Sequence, residues 1–195
     1  MIKKIYLASR SPRRAELLQQ MGIDFEVLPS DIDEAVAANE SPAEYVLRLA
    51  KQKAQACVTY MEVHGLPILP ILAADTTVAV DHLILGKPVD DKEAANMLRM
   101  MSGRCHEVHT AVAVINGGVV EAALSTTLVE MSELSEALIQ AYVASGEPRD
   151  KAGAYGIQGL ASTFIKRIDG SYSGVMGLPF FETAALLKNV GVHVL

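Results

Sequence analysis

Apolar and polar positions alternate with two periods along this chain, and the changes of period mark its elements. Ile2–Ala8 alternates and then turns apolar before Ser9-Arg10-Ser11-Pro12, which reads as a short strand running into a helix start. Ser11 is a natural N-cap and Pro12 a natural first helical residue, because proline's missing N–H would find no partner there. Leu17, Leu18 and Met21 follow at helical spacing, and Gly22 closes the helix as its left-handed residue. Phe25–Leu28 reads as a second strand. Ser41-Pro42-Ala43-Glu44 is a capping box. It opens a long helix with Tyr45, Val46, Leu49, Ala50 and Cys57 on one face, ending near His64-Gly65. Ile68–Ala74 is an unbroken apolar run, as expected for a strand buried on both faces. It is expected to end at Asp75-Thr76, with a second extended segment over Thr77–Val80.

The later chain changes character. Asp81-His82 reads as a turn and Leu83–Leu85 as its return, leading to Gly86-Lys87-Pro88. Asp90 and Glu93 cap a helix through Met101, stopped by Ser102-Gly103. Glu107–Ile115 and Val119–Leu128 flank Asn116-Gly117-Gly118, a hairpin signal. A capped helix over Ser135–Ala144, a strand over Phe164–Ile168, a helix near Phe180–Lys188 and a terminal strand Val192–Leu195 complete the pattern. Strands alternate with helices early and hairpins come later, which predicts a mixed α/β sheet. A length of 195 residues suits one domain, or two small lobes sharing a core.

Composition narrows the function classes. The chain is 50% hydrophobic and 21% charged, enough to bury a sizeable core without staples. Cys57 and Cys105 lie in apolar stretches and read as buried, reduced side chains; no paired spacing suggests zinc. The formal net charge of -6 argues against general affinity for nucleic acid or an anionic membrane, so a polyanionic ligand needs a local basic cluster. Met1–Ala8 is too short for a signal peptide, and Leu66–Ala74 carries two prolines and cannot span a bilayer. A cytoplasmic location is expected.

Candidate chemistry begins at Ser9–Arg14. Arg13 and Arg14 fall in the first helical turn, against the helix dipole, at about 0.3–1 kcal/mol per misplaced charge. With the free N–H groups and the hydroxyls of Ser9 and Ser11 they would make a phosphate cradle; the same segment also fits an ordinary solvated turn. Lys53 points along the apolar stripe of its helix, either to reach a buried anion or to snorkel outward. Lys87 stands at the mouth of a turn. Asp75, ending an apolar strand, sits where active sites of α/β sheets collect, and burial there would suit it to general-base work. Capping of the next turn is its plainer role. Asp33 and Glu34 could give oxygen ligands to Mg²⁺, or form a solvated acidic loop. Lys151-Ala152-Gly153-Ala154-Tyr155-Gly156-Ile157-Gln158-Gly159 has glycine at every third place, which admits close backbone approach, and Gln158 offers a donor and an acceptor for a base edge. No G-x-x-x-x-G-K-[ST] loop or G-x-S-x-G elbow occurs. His106 and His109 face opposite ways on one strand and suggest no site.

Taken together these motifs resemble the Maf family of nucleotide pyrophosphatases, within the inosine-triphosphate-pyrophosphatase-like superfamily. The resemblance runs nearly end to end: Ala8–Arg14, Asp33-Glu34, Lys53, Ala74-Asp75-Thr76, Gly86-Lys87-Pro88, Ala152–Gly159 and Gly177-Leu178-Pro179. The Gly-Ile-Gln-Gly form resembles the branch acting on dTTP and UTP; the branch preferring 7-methyl-GTP differs at Gln158. The resemblance implies an elongated mixed α/β body with two lobes around a central cleft. It implies hydrolysis of a triphosphate to monophosphate and pyrophosphate, with Asp75 as proton acceptor and Glu34 and Asp75 as contacts to Mg²⁺ or Mn²⁺. Ser9, Arg13, Arg14, Lys53 and Lys87 would hold the phosphates; Arg13, Thr76 and Gln158 would discriminate among bases. Arg10 stands where the family varies. A homodimer and a link to inhibition of septum formation come with the resemblance. A nucleotide-binding regulator without obligatory turnover and a 7-methyl-GTP enzyme are the alternatives.

Overall fold

The structure, a computed structural model, describes residues 4–28 and 31–194. Among these residues seven strands, the last of them β7 (Ile165–Asp169), form one mixed sheet in the order β2-β1-β3-β5-β6-β7, with β4 paired to β3. Strand β1 (Lys4–Leu7) runs parallel to β2 (Asp24–Val27) and to β3 (Ile71–Val80); the remaining pairs are antiparallel. Helix α1 (Pro12–Gln20) starts at Ser11 with proline in its first turn, and Gly22 follows it at φ 70°. Helix α2 (Pro42–Val63) carries the full reciprocal capping box between Ser41 and Glu44. Asp90 caps α3 (Asp91–Met101) by accepting from the Glu93 N–H. Ser135 does the same for α4 (Glu136–Ala144) through Leu138. Strands β5 (Cys105–Asn116) and β6 (Val119–Met131) pair from end to end across Gly117 and Gly118, at φ 56° and 83°. Two successive positive φ angles make a tight hairpin turn whose twist matches the strands.

Side chains alternate across β3 and so divide the core. Ile71 and Ala73 pack against α2 through Val46, Ala50, Ala54 and Cys57. Leu72 and Ala74 pack on the opposite face, against Leu17 and Leu18 of α1 and Leu187 of α6 (Phe180–Asn189). Further along that face, Val78 and Val80 meet α3 and α4 through Leu98, Met101 and Ile139.

The structure corrects several expectations. β3 does not stop at Asp75-Thr76: it is one strand of ten residues with Asp75 fifth, because β5 pairs with it from Ile71↔Ile115 to Ala79↔Glu107. It begins at Ile71, and Ile68 between Pro67 and Pro70 is 80% exposed. Cys57 is buried, but Cys105 is exposed as the first residue of β5. Val192–Val194 form no strand; the Val192 N–H turns back to the Leu187 carbonyl at 3.0 Å, and Leu195 lies outside the described residues. Ile2, at the start of the first expected strand, lies outside them too. The short helix α5 (Tyr172–Met176) and three 3-10 turns, Glu147–Asp150, Ala152–Ala154 and Leu160–Phe164, are too short to show a period. Among the described residues no helix is long and apolar enough to cross a membrane.

Candidate active site

Strand β3 has an open stretch along one edge. On that side β1 pairs with it only at Tyr6↔Ile71 and Leu7↔Leu72, and β4 (Leu83–Leu85) takes over at Val78↔Leu85. Between them, Ala73–Thr77 have no strand partner on that edge among the described residues. A cleft of about 650 Å³ opens there. It gathers residues as distant in sequence as Ser9 and Gln158, and of the candidates only Asp33 stays outside it. Asp75 is therefore mid-strand rather than strand-ending. It still lies just past the carboxyl end of its parallel neighbour β1, where ligand sites of such sheets form.

Adjacent residues on β3 serve opposite walls. Asp75 faces α2, and its Oδ1 lies 2.6 Å from Lys53 Nζ. The same ammonium is 2.6 Å from Glu34 Oε1. The Lys53 and Asp75 side chains are only 12% and 9% exposed, so Lys53 takes the inward of its two expected courses. Burial pushes the Asp75 carboxyl above its ordinary range, with Lys53 and Arg14 opposing. Burial also pushes on Glu34, but Lys53, Lys87 and Arg14 outweigh it and leave that carboxyl lowered. Lys87 lines the cleft directly after β4.

Thr76 faces the α1 wall. Arg14 Nη2 donates to Thr76 Oγ1 at 3.1 Å, Nη1 to Ser9 Oγ at 3.3 Å, and Nε to the Gly177 carbonyl at 2.9 Å. Thr110 Oγ1 lies 2.9 Å from Thr76 Oγ1 and 2.8 Å from the Gly174 carbonyl. A carbonyl can only accept, so Thr110 donates to Gly174 and accepts from Thr76. The Thr76 hydroxyl is thus engaged on both sides in holding Arg14. Burial lowers the Arg14 pKa, with Asp75 opposing, but a guanidinium stays charged at neutral pH.

Ser11 stands at the N-cap of α1 without a side-chain cap; its N–H donates instead to Ser9 Oγ at 3.2 Å. Arg13 reaches Asp150, with Nη1 3.4 Å from Oδ2. Arg10 pairs with Asp31 at the rim, both largely exposed, an arrangement worth about 1 kcal/mol at most. Asp33 accepts from the Ala35 N–H at 2.9 Å, so it shapes its own loop. Glu34 is left to face Asp75 across Lys53. Two carboxylates converging on one cationic position suit Mg²⁺, which takes one or two carboxylates and completes its shell with phosphate oxygens and water. Among the described residues no group of three or more His, Cys, Asp or Glu side chains could form an all-protein site.

The glycine-rich segment forms the far wall. Gly153 has φ 68°, and a Cβ there would lie 2.8 Å from Val78, so only glycine fits. Its N–H donates to the Gly86 carbonyl at 3.0 Å, which joins this wall to the Lys87 loop. Gln158 is exposed and lines the cleft; its side chain makes no hydrogen bond among the described residues. Tyr45, not singled out from the sequence, lines the cleft and donates to the Glu34 carbonyl at 3.0 Å. Its signal was spacing: Tyr45, Leu49 and Lys53 lie one helical turn apart on α2.

A family model described as "Maf-like protein" matches residues 4–190. The chain is 63% identical to the dTTP/UTP pyrophosphatase of Methylobacillus flagellatus, covering 98% of this chain and 94% of that protein. It is 52% identical to the dTTP/UTP pyrophosphatase of Nitrosomonas europaea, covering 97% and 96%. It is 53% identical to the protein of that name from Chromobacterium violaceum, covering 98% and 96%.

Proposed function

This chain belongs to the Maf-like protein family, and we propose from that premise that it is a nucleoside triphosphate pyrophosphatase acting on dTTP and UTP. Water attacks the α-phosphorus, its bond to the α,β-bridging oxygen breaks, and pyrophosphate leaves with the monophosphate as the other product. The observation that carries the chemistry is Asp75, a buried carboxylate with a raised pKa in a cleft that Arg14, Lys53 and Lys87 also line. In that setting Asp75 accepts the proton of the attacking water, a role worth about 10²–10⁴-fold in rate. Ser9, Arg13, Arg14, Lys53 and Lys87 hold the triphosphate and meet the charge that develops on it.

Glu34 and Asp75 would hold Mg²⁺ or Mn²⁺, which when bound neutralises phosphate charge as a Lewis acid. Gln158 reads the base: its amide oxygen accepts from N3–H of uracil or thymine while its NH₂ donates to O4. Arg13 and Thr76 assist, Thr76 by placing Arg14. Modified pyrimidine nucleotides, a cytoplasmic location and a homodimer belong to the same proposal; a part in restraining septum formation belongs to the alternative, a nucleotide-binding regulator that needs no turnover. Two free thiols, Cys57 and Cys105, suit a reducing compartment.

The test is a pyrophosphate-release panel over ordinary and modified triphosphates with each metal. Release from dTTP and UTP above CTP and purine triphosphates is expected. Triphosphate binding without release from any substrate would overturn the enzyme reading. Asp75→Asn is expected to lower kcat by at least about a hundredfold while UTP still binds, measured by calorimetry beside the rate assay.

A further inference from the structure

We propose that Glu147 is a positioning residue for base recognition, fixing the segment that presents Gln158. The inference rests on Gln158 reading the base. Glu147 does not line the cleft; it lies behind the segment. Its Oε2 accepts from the Leu160 N–H at 2.9 Å. Its Oε1 accepts from the Ala161 N–H at 3.4 Å and from the Tyr142 hydroxyl at 2.9 Å. Tyr142 Oη in turn accepts from the Gly156 N–H at 3.3 Å. One carboxylate is therefore tied to the backbone on both sides of Gln158, two residues before it through Tyr142 and two and three residues after it directly.

The intervening turn is closed by the Gly159 N–H donating to the Gly156 carbonyl at 3.0 Å. A Cβ on Gly159 would overlap the Glu147 carboxylate, so the glycine is what lets the carboxylate come so close. Burial raises the Tyr142 pKa and its bond to Glu147 raises it further, so the phenol stays protonated and keeps donating. Glu147 also opens the 3-10 turn that ends at Asp150, the partner of Arg13. Two of the three side chains proposed to discriminate among bases, Arg13 and Gln158, are thus referred to one short turn. A carboxylate offers an acceptor on each of its oxygens; glutamine would turn an NH₂ toward one of the N–H groups.

The test compares wild type, Glu147→Gln, Gln158→Ala and the double variant, measuring kcat and KM for UTP and CTP. CTP carries an amine at position 4 and no N3 proton, so it reports on base reading alone. Loss of UTP-over-CTP preference by about tenfold or more is expected for Glu147→Gln, mainly through KM for UTP, with kcat at saturation little changed. The double variant should discriminate no worse than Gln158→Ala, because both changes remove one device. If Glu147→Gln keeps wild-type preference while Gln158→Ala loses it, the inference falls and the Gln158 reading stands. If Gln158→Ala keeps wild-type preference, both fall. Gly159→Ala, which leaves Glu147 in place and presses on the contact from the other side, should reproduce the loss should Glu147→Gln fail to fold. Wild-type preference in Gly159→Ala would then overturn the inference.

Discussion

His106 is 2% exposed, with Nε2 2.8 Å from the Tyr155 hydroxyl and Nδ1 without a partner among the described residues. Burial pulls its pKa from 6.5 down to about 4. The folded protein refuses a proton that the unfolded chain accepts, so stability is full above pH 6.5 and drains as pH falls toward 4. The loss should reach about 3 kcal/mol, seen as a falling Tm across that window; His106→Gln should flatten the slope. The histidines suggest no site in the sequence; the structure makes His106 a core residue that packs on Tyr155, which lines the cleft, and no pattern showed that. Lys53 is the counterpart case. Lys53→Met leaves Asp75 buried beside one fewer cation, at a cost of about 3–5 kcal/mol, measurable by urea unfolding. A loss under 1 kcal/mol would show that solvent already compensates that carboxylate. Spacing put Lys53 on the apolar stripe, but the stripe could not say whether the ammonium turned inward. That depended on a carboxylate twenty-two residues away.

Among the elements, those with their own punctuation were legible. Ser41, Asp90 and Ser135 each accept from the N–H three residues on, and such side chains signal helix starts from local chemistry alone. Ser41→Ala should cost about 0.5–2 kcal/mol in thermal unfolding. The continuity of β3 was not legible, because Asp75 and the threonines interrupt its apolar run while β5 holds the backbone extended through them. A ladder partner decides such cases, and it lies more than thirty residues away. The 3-10 turns around the glycine segment were hidden for a similar reason. Their shape follows from packing, as at Gly153, where Gly153→Ala should strain both φ and the Val78 contact. A cost of about 1–3 kcal/mol and a raised KM are expected, since the Lys87 loop hangs on the Gly153 N–H.

At the scale of the whole molecule, the candidate site residues were named from the sequence, while their geometry was not: the open edge of β3 exists only because β1 stops early and β4 starts late. A nucleotide in that gap should tie both sides together. Asp75→Asn protein in UTP at a hundred times its Kd should gain about 2.7 kcal/mol, or about 5–11 °C in Tm for a chain of this length. No shift would argue against binding in the cleft. The Arg14 guanidinium rests on the Gly177 carbonyl, 163 residues further along. During synthesis at ordinary rates that interval lasts about 10–30 s, through which the amino-terminal half of the phosphate cradle is made but not yet braced. A growing chain shorter than Gly177 should therefore be blind to nucleotide, and the onset of nucleotide binding in a ribosome-stalled length series would mark the moment the fold closes.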